Sequence, residues 1–162
     1  MPEVICNTSP LQYLYQLDLL PVLQTLVARI IVPPAVVQEL AVGRAQGVRL
    51  PDLTVLDWVT VRQPVSAPAL PLITDLGPGE TAVLALALEA PDAVVLLDDA
   101  LARQVAAALH IRFRGTLGVL LDAKRAGVVS CITPLLEQLH ALRFHLSPRT
   151  RDLILTMAGE AP

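Results

Sequence analysis

At 162 residues, with 54% hydrophobic and 17% charged side chains, the chain is long enough to bury one ordinary core without disulfide or metal staples. Its apolar stretches are broken at Glu89, Pro91 and Asp92, so none approaches the roughly 20 residues of a membrane span. Aromatics at 3% disfavour an RNA surface of stacked aromatic platforms, and the net charge of −3 argues at first sight against a polyanionic partner.

The N-terminal MPEVICN has no basic segment ahead of an apolar one. With only Cys6 and Cys131, it predicts a reduced, cytoplasmic protein in which Cys6 is core filler. VIC reads as a short strand that hands over to a helix at Asn7-Thr8-Ser9, with Ser9 as N-cap, Pro10 at the first helical position and Gln12 completing a capping box. A second helix opens near Pro21, RIIVPP is a buried strand closed by prolines, and PAVVQELAVG is a helix stopped by Gly43. Residues 44–76 are Pro-rich and less periodic, with Trp58 to Arg62 as their strand; their apolar content marks an excursion within one domain, not a tether.

Gly77-Pro78-Gly79-Glu80 punctuates a helix start, with Val83, Leu84, Ala87 and Leu88 on one apolar face and Glu80 in the first turn. Val94 to Leu97 is a buried strand that ends at Asp98-Asp99. A helix over ALARQVAAAL, a strand at IRFRG and a helix over TLGVLLDAKRAG ended by Gly127 follow, then two helices opening at Thr133-Pro134 and Ser147-Pro148. Alternating strands and helices with continuous apolar strands imply an α/β fold: a central, mostly parallel sheet with helices on both faces, in one domain over 1–162 that closes with helices over 130–162.

Charge is split along the chain. Residues 1–99 carry four basic and eleven acidic side chains, whereas 100–162 carry eight basic and four acidic. Solvated helix faces account for most of these; an acidic pocket beside a basic rim would suit metal-assisted chemistry on a phosphodiester. In parallel α/β sheets ligands gather at the carboxyl ends of strands, where Asn7 and Asp98-Asp99 stand. Together with Glu39 and Glu80 these residues offer oxygen alone, a donor set for Mg²⁺ or Mn²⁺; His110, His140 and His145 lack metal-ligand spacing with the cysteines, which argues against zinc.

Each candidate has a plain structural rival. Asp98 and Asp99 are equally good helix caps, and the adjacent pair is read as site, with Asp99 in the pocket and Asp98 turned away or capping. Arg103 is an i,i+4 ion-pair partner for Asp99 or a phosphate contact, the ion pair having the better prior. Arg112, Arg114, Lys124 and Arg125 are candidates for the basic rim.

In order and spacing, NTSP, VVQEL, LGPGE, LLDDALAR and GTLGVLLDAKRAG resemble the PIN-domain family, most closely its bacterial and archaeal branch opening with Asn-Thr-Ser-Pro. The resemblance spans nearly the whole chain. It implies a three-layer α/β/α nuclease that arranges acidic residues around one or two Mg²⁺ or Mn²⁺ ions and cuts RNA, many members being toxins of toxin-antitoxin pairs. By position Glu39, Glu80 and Asp99 match the family's acids, Thr8 and Ser9 its small hydroxyl residues, and Thr116 stands where some relatives add an acid. Asn7 falls where most members carry their first Asp, and Asp98 is an extra acid beside the matching position.

The expectation is therefore a cytoplasmic, metal-dependent endoribonuclease, self-associating as a homodimer through its helices and paired with a cognate antitoxin. The alternative is a catalytically weak PIN-like protein that binds RNA or a partner, because Asn7 removes a negative charge. A phosphotransfer domain on another doubly wound sheet is disfavoured: the chain has no Asp-x-Asp at a strand end, no acidic pair near its N-terminus and no P-loop.

Overall fold

The computed structural model describes residues 2–66 and 75–161, so part of the Pro-rich excursion expected over 44–76 lies outside the described residues. Five strands, β1 (Val4–Cys6), β2 (Ile30–Val32), β3 (Val59–Val61), β4 (Val94–Leu96) and β5 (Arg112–Arg114), form one parallel sheet in the order β3-β2-β1-β4-β5. Cys6, Leu96 and Arg114 stand level in register, as do Val32 and Val61, so the strands stop along a common edge. The strands are short runs of β-branched and aliphatic residues, and the central ones are buried through Ile5, Cys6, Ile30, Ile31, Val32, Val95 and Leu96.

Among the described residues eight α-helices enclose the sheet in a three-layer α/β/α arrangement: α1 (Thr8–Gln16), α2 (Leu20–Val27), α3 (Pro34–Ala45), α4 (Pro78–Glu89), α5 (Ala100–Ala108), α6 (Thr116–Arg125), α7 (Thr133–Ala141) and α8 (Pro148–Met157). None is long and apolar enough to cross a membrane. Helix α4 packs across β1 and β4, while α2 packs on α1 and α6, and α8 on α6. Proline in the first turn of α2, α3, α4, α7 and α8 presets the helical φ where no intrahelical N–H bond is lost.

Three local expectations are corrected. Helix α1 begins at Thr8 with Asn7 at the cap position, so Ser9 lies inside the helix and Pro10 is not its first residue. Gly43 does not stop α3, which runs on to Ala45; the missing Cβ leaves room for the Leu50 side chain. Leu88 is 47% exposed, and α4 is instead buried through Gly79 and the continuous run Val83 to Ala87, as befits a helix laid over the centre of the sheet.

The C-terminal helices are held by Glu160. Its carboxylate accepts from Lys124 Nζ at 2.8 Å, Cys131 Sγ at 2.8 Å, the backbone N–H groups of Ile132 (2.8 Å) and Thr133 (3.0 Å), and Thr133 Oγ1 at 2.5 Å, so it caps the start of α7 and ties it to α6. Partial burial works to raise its pKa, but the hydrogen bonds from Cys131, Ile132, Lys124 and Thr133 outweigh it and hold the carboxyl well below its usual range. A depressed carboxylate stabilises the fold above its unfolded pKa near 4.5 and loses that contribution as pH falls. Glu160→Gln should therefore cost about 1–3 kcal/mol at neutral pH, with the difference from wild type shrinking in melts run below pH 4.5; a constant difference would show that the charge is not what matters.

Candidate functional site

The level strand ends bring Asn7, Asp98-Asp99 and Gly115-Thr116 to one edge of the sheet, and the first turn of α4 adds Gly79 and Glu80. Asn7 is buried, at 1% exposure, and its backbone N–H donates to Leu96 O at 3.0 Å, which fixes it between β1 and β4. Its Nδ2 donates to Glu80 Oε1 at 3.3 Å. Only the NH₂ end of the amide can face a carboxylate, so Oδ1 points elsewhere, and it is a buried oxygen without a hydrogen-bond partner among the described residues.

Glu39, near the middle of α3, accepts from Thr8 Oγ1 at 2.5 Å and from the Gly79 backbone N–H at 3.0 Å. It thereby staples the first turns of α1 and α4 together, and those turns deliver Asn7 and Glu80 to each other. Thr8 is thus accounted for by Glu39, and Ser9 lines the adjoining cavity.

Both adjacent aspartates line the cavity, Asp99 as expected, but it is Asp99 and not Asp98 that caps the helix, and Asp98 is not turned away. Asp99 is the N-cap of α5, accepting from Ala102 N at 2.8 Å, and is exposed. Asp98 is the more enclosed of the two: Oδ1 accepts from Thr116 N at 2.8 Å and Oδ2 from Thr116 Oγ1 at 2.6 Å. Burial raises the Asp98 pKa, opposed by these two hydrogen bonds and by the Arg103 charge. Tyr13 faces the same space, and burial followed by the charge of Asp98 pushes its hydroxyl pKa up, so it remains a protonated donor at neutral pH.

Glycines make this crowding feasible. A Cβ at Gly79 would meet Glu39 Oε1 at 2.6 Å and Oε2 at 2.8 Å, one at Gly77 would meet Glu80 Oε2 at 2.7 Å, and one at Gly115 would lie 3.0 Å from Asp98 Oδ1. Each of these acids lies against backbone that lacks a side chain. Sequence reasoning took Gly77 and Gly79 for helix punctuation and missed the role of Gly79, Gly115 and Tyr13; the recurrence of glycine beside the acidic motifs was the available signal.

A cavity of about 700 Å³ opens beside this edge, lined by Glu80, Asp98 and Asp99 at one side and by Arg103, Arg114 and His145 among others. Glu39 is not on its wall. Arg103 stacks over the Phe113 ring at 5.1 Å instead of pairing with Asp99. The other basic candidates are tethered: Arg114 forks onto Asp122 at 2.6 and 2.8 Å, Arg112 donates to the Asp92 carbonyl, Lys124 is taken by Glu160, and Arg125 stands 3.9 Å from Asp122.

Among the described residues no three of the Asp, Glu, His and Cys side chains converge on one point as a ready-made metal cage. Mg²⁺ does not need one, since it keeps several waters and is commonly held by one or two carboxylates together with substrate phosphate. The buried, unpartnered Asn7 Oδ1 beside Glu80 and the oxygen-only donors therefore fit a hard divalent cation.

The carboxylates and the amide thus gather at the carboxyl edge of a parallel sheet, the place where α/β proteins commonly take their ligands. The chain belongs to the PIN-domain family: a family model described as a PIN domain matches residues 3–160, which bears out the resemblance and the fold expected from the sequence. That is a nuclease-type family, whose members generally use divalent metals and which points to RNA as partner. None of the curated proteins compared with the chain matches it.

Proposed function

We propose that this chain is a metal-dependent endoribonuclease, using Mg²⁺ or Mn²⁺ in the cytoplasm. The observation that supports the reading is the pairing of buried Asn7, its Oδ1 without a partner among the described residues, with Glu80, which lines the cavity together with Asp98. A bound divalent ion supplies an activated water and neutralises charge on the phosphate. In this reading Glu80, Asp98 and Asp99, which line the cavity, would hold it, and Asn7, behind Glu80, would orient that carboxylate through Nδ2 or offer Oδ1 to the ion or its water. Thr116 orients Asp98, and Glu39 keeps Asn7 and Glu80 in register through Thr8 and Gly79. Tyr13 lines the same wall.

The test is cleavage of a labelled single-stranded RNA in Mg²⁺ and in Mn²⁺. Cutting is expected with either metal, none in chelator, and a loss of at least about 100-fold for Glu80→Gln, since losing a ligand should cost no less than the roughly 10–100-fold of losing a group that only supports one. Metal-independent cutting, or cutting untouched by the substitution, would overturn the assignment.

A second reading, a catalytically weak protein that binds RNA or a partner, is favoured by the neutral Asn7 and by the absence of a three-acid cage among the described residues. RNA binding without cleavage at any metal concentration would select it. A toxin role with a cognate antitoxin, a homodimer formed through helices and one domain over 1–162 complete the proposal. Light scattering at micromolar concentration reads the dimer; a strictly monomeric result removes that part and leaves the metal chemistry untouched.

A further inference from the structure

We infer that His145 is the general acid of the cleavage, giving its proton to the bridging oxygen that leaves phosphorus; this rests on the ribonuclease reading above and adds the group that serves its leaving end. Hydrolysis of a phosphodiester has two ends. The water attacks phosphorus in line with the bond that breaks, so the departing oxygen lies on the far side of phosphorus from that water. Glu80, Asp98 and Asp99 gather at the attacking end, and the alkoxide that departs needs a proton from another group.

Much of the remaining wall comes from the C-terminal segment. Phe144, His145 and Ser147 in the connection between α7 and α8, with Thr150, Ile154 and Met157 of α8, line the cavity, and they include no carboxylate. His145 is the one ionisable side chain among them. Its backbone is held on both sides. Arg143 turns the chain at φ 66° as α7 ends, Phe144 N donates to Leu139 O at 3.0 Å, and the Phe144 ring meets Tyr13 edge to face with centroids 4.9 Å apart. Two residues further on, Ser147 caps α8 by accepting from Thr150 N at 3.1 Å. Between these fixed points the His145 side chain is exposed and, among the described residues, makes no hydrogen bond or ion pair, so both ring nitrogens are free for a ligand.

The other ionisable groups that face this space do not fill the role. Arg103 and Arg114 do not give up their protons. The Tyr13 hydroxyl is made a poorer acid by burial and then by the charge of Asp98, and Asp98 itself is held on both oxygens by Thr116. Histidine is the side chain that both yields and regains a proton near neutral pH. In the step, the water oxygen bonds to phosphorus as the bond from phosphorus to the bridging oxygen breaks, the electron pair stays on that oxygen, and the imidazolium proton passes to it. The attacking water releases its proton to solvent, from which the neutral imidazole takes one back.

The experiment varies the leaving group. An oligoribonucleotide is cut by wild type, its product ends show which bridging oxygen departs, and the same oligoribonucleotide is made with sulfur at that position, because a thiolate leaves without a proton. His145→Gln is expected to lose about 100-fold or more in kcat on the oxygen substrate, with KM unchanged. On the sulfur substrate it should stay within about 3-fold of wild type. The position is exposed, melts check folding, and His145→Asn serves as the second variant. Equal losses on both substrates would make His145 a binding or positioning group and overturn the inference, as would a loss confined to KM. Wild-type rates of both variants on the oxygen substrate also overturn it and leave the ribonuclease reading standing. Wild type that cuts the RNA in neither Mg²⁺ nor Mn²⁺ removes that reading and this inference with it.

Discussion

Asn7→Asp should melt about 6–20 °C below wild type in chelator and recover most of that difference in Mn²⁺. The substitution replaces the Nδ2 donor, 3.3 Å from Glu80 Oε1, with a second carboxylate oxygen at a position that is 1% exposed. An uncompensated buried charge costs about 3–5 kcal/mol, and for a chain of this size each kcal/mol moves the midpoint by about 2–4 °C. Two carboxylates this close raise each other's pKa, so the penalty grows as pH rises through the carboxylate range and fades in acid. A divalent cation reverses the sign, because the pair then shares a positive charge, and ribonuclease activity should be kept or increased. Melts with and without Mn²⁺ decide it. Identical behaviour in both would mean that Asn7 does not address the metal at all.

The second large effect separates the site from the fold. Gly79→Ala puts a Cβ within 2.6–2.8 Å of both Glu39 oxygens, so the carboxylate must leave its bonds with Thr8 and the Gly79 N–H. What moves is the end of a flexible side chain, not backbone, and alanine is favoured over glycine in a helix by about 1 kcal/mol. Set against the two hydrogen bonds that the carboxylate gives up, about 0.5–1.5 kcal/mol each even for ordinary bonds, that gain leaves stability lowered by no more than about 2 kcal/mol. Cleavage should fall by about 10–100-fold, the usual loss when a group supporting metal ligands is displaced. Calorimetry and a cleavage assay on the same sample read both. A variant that is destabilised and still fully active would place Glu39 in the fold and outside the chemistry.

The strands and the layers were legible because continuous apolar runs ending in polar residues leave few alternatives. Helix boundaries and partners were less so, for physical reasons. Asn7, Thr8 and Ser9 are all good N-cap residues in a row, and the choice was made at a distance: Glu39 claims the Thr8 hydroxyl and Glu80 the Asn7 amide, so the helix starts early. Asp98 and Asp99 carry the same chemistry one residue apart, and only the direction of α5 decides that Asp99 meets the Ala102 N–H while Asp98 turns to Thr116. Lys124 looked like a rim cation because its partner, Glu160, lies 36 residues further on. The glycines were visible, but clearance for a neighbour's carboxylate leaves no local pattern.

The strand order has a consequence for the chain as it is made. β1, the first strand in sequence, is the middle of the finished sheet, flanked by β2 and β4, and the candidate site gathers residues 7, 39, 80, 98 and 116. Such long-range closure is slow, since loop entropy must be met before distant contacts repay it. A ribosome therefore has to release everything through the start of α6 before Asp98 can find Thr116. Until that moment the emerging polypeptide carries Asn7, Glu39, Glu80 and Asp98 as separate groups on an unfinished sheet, and the edge that gathers them exists only once its last strand and helix have joined.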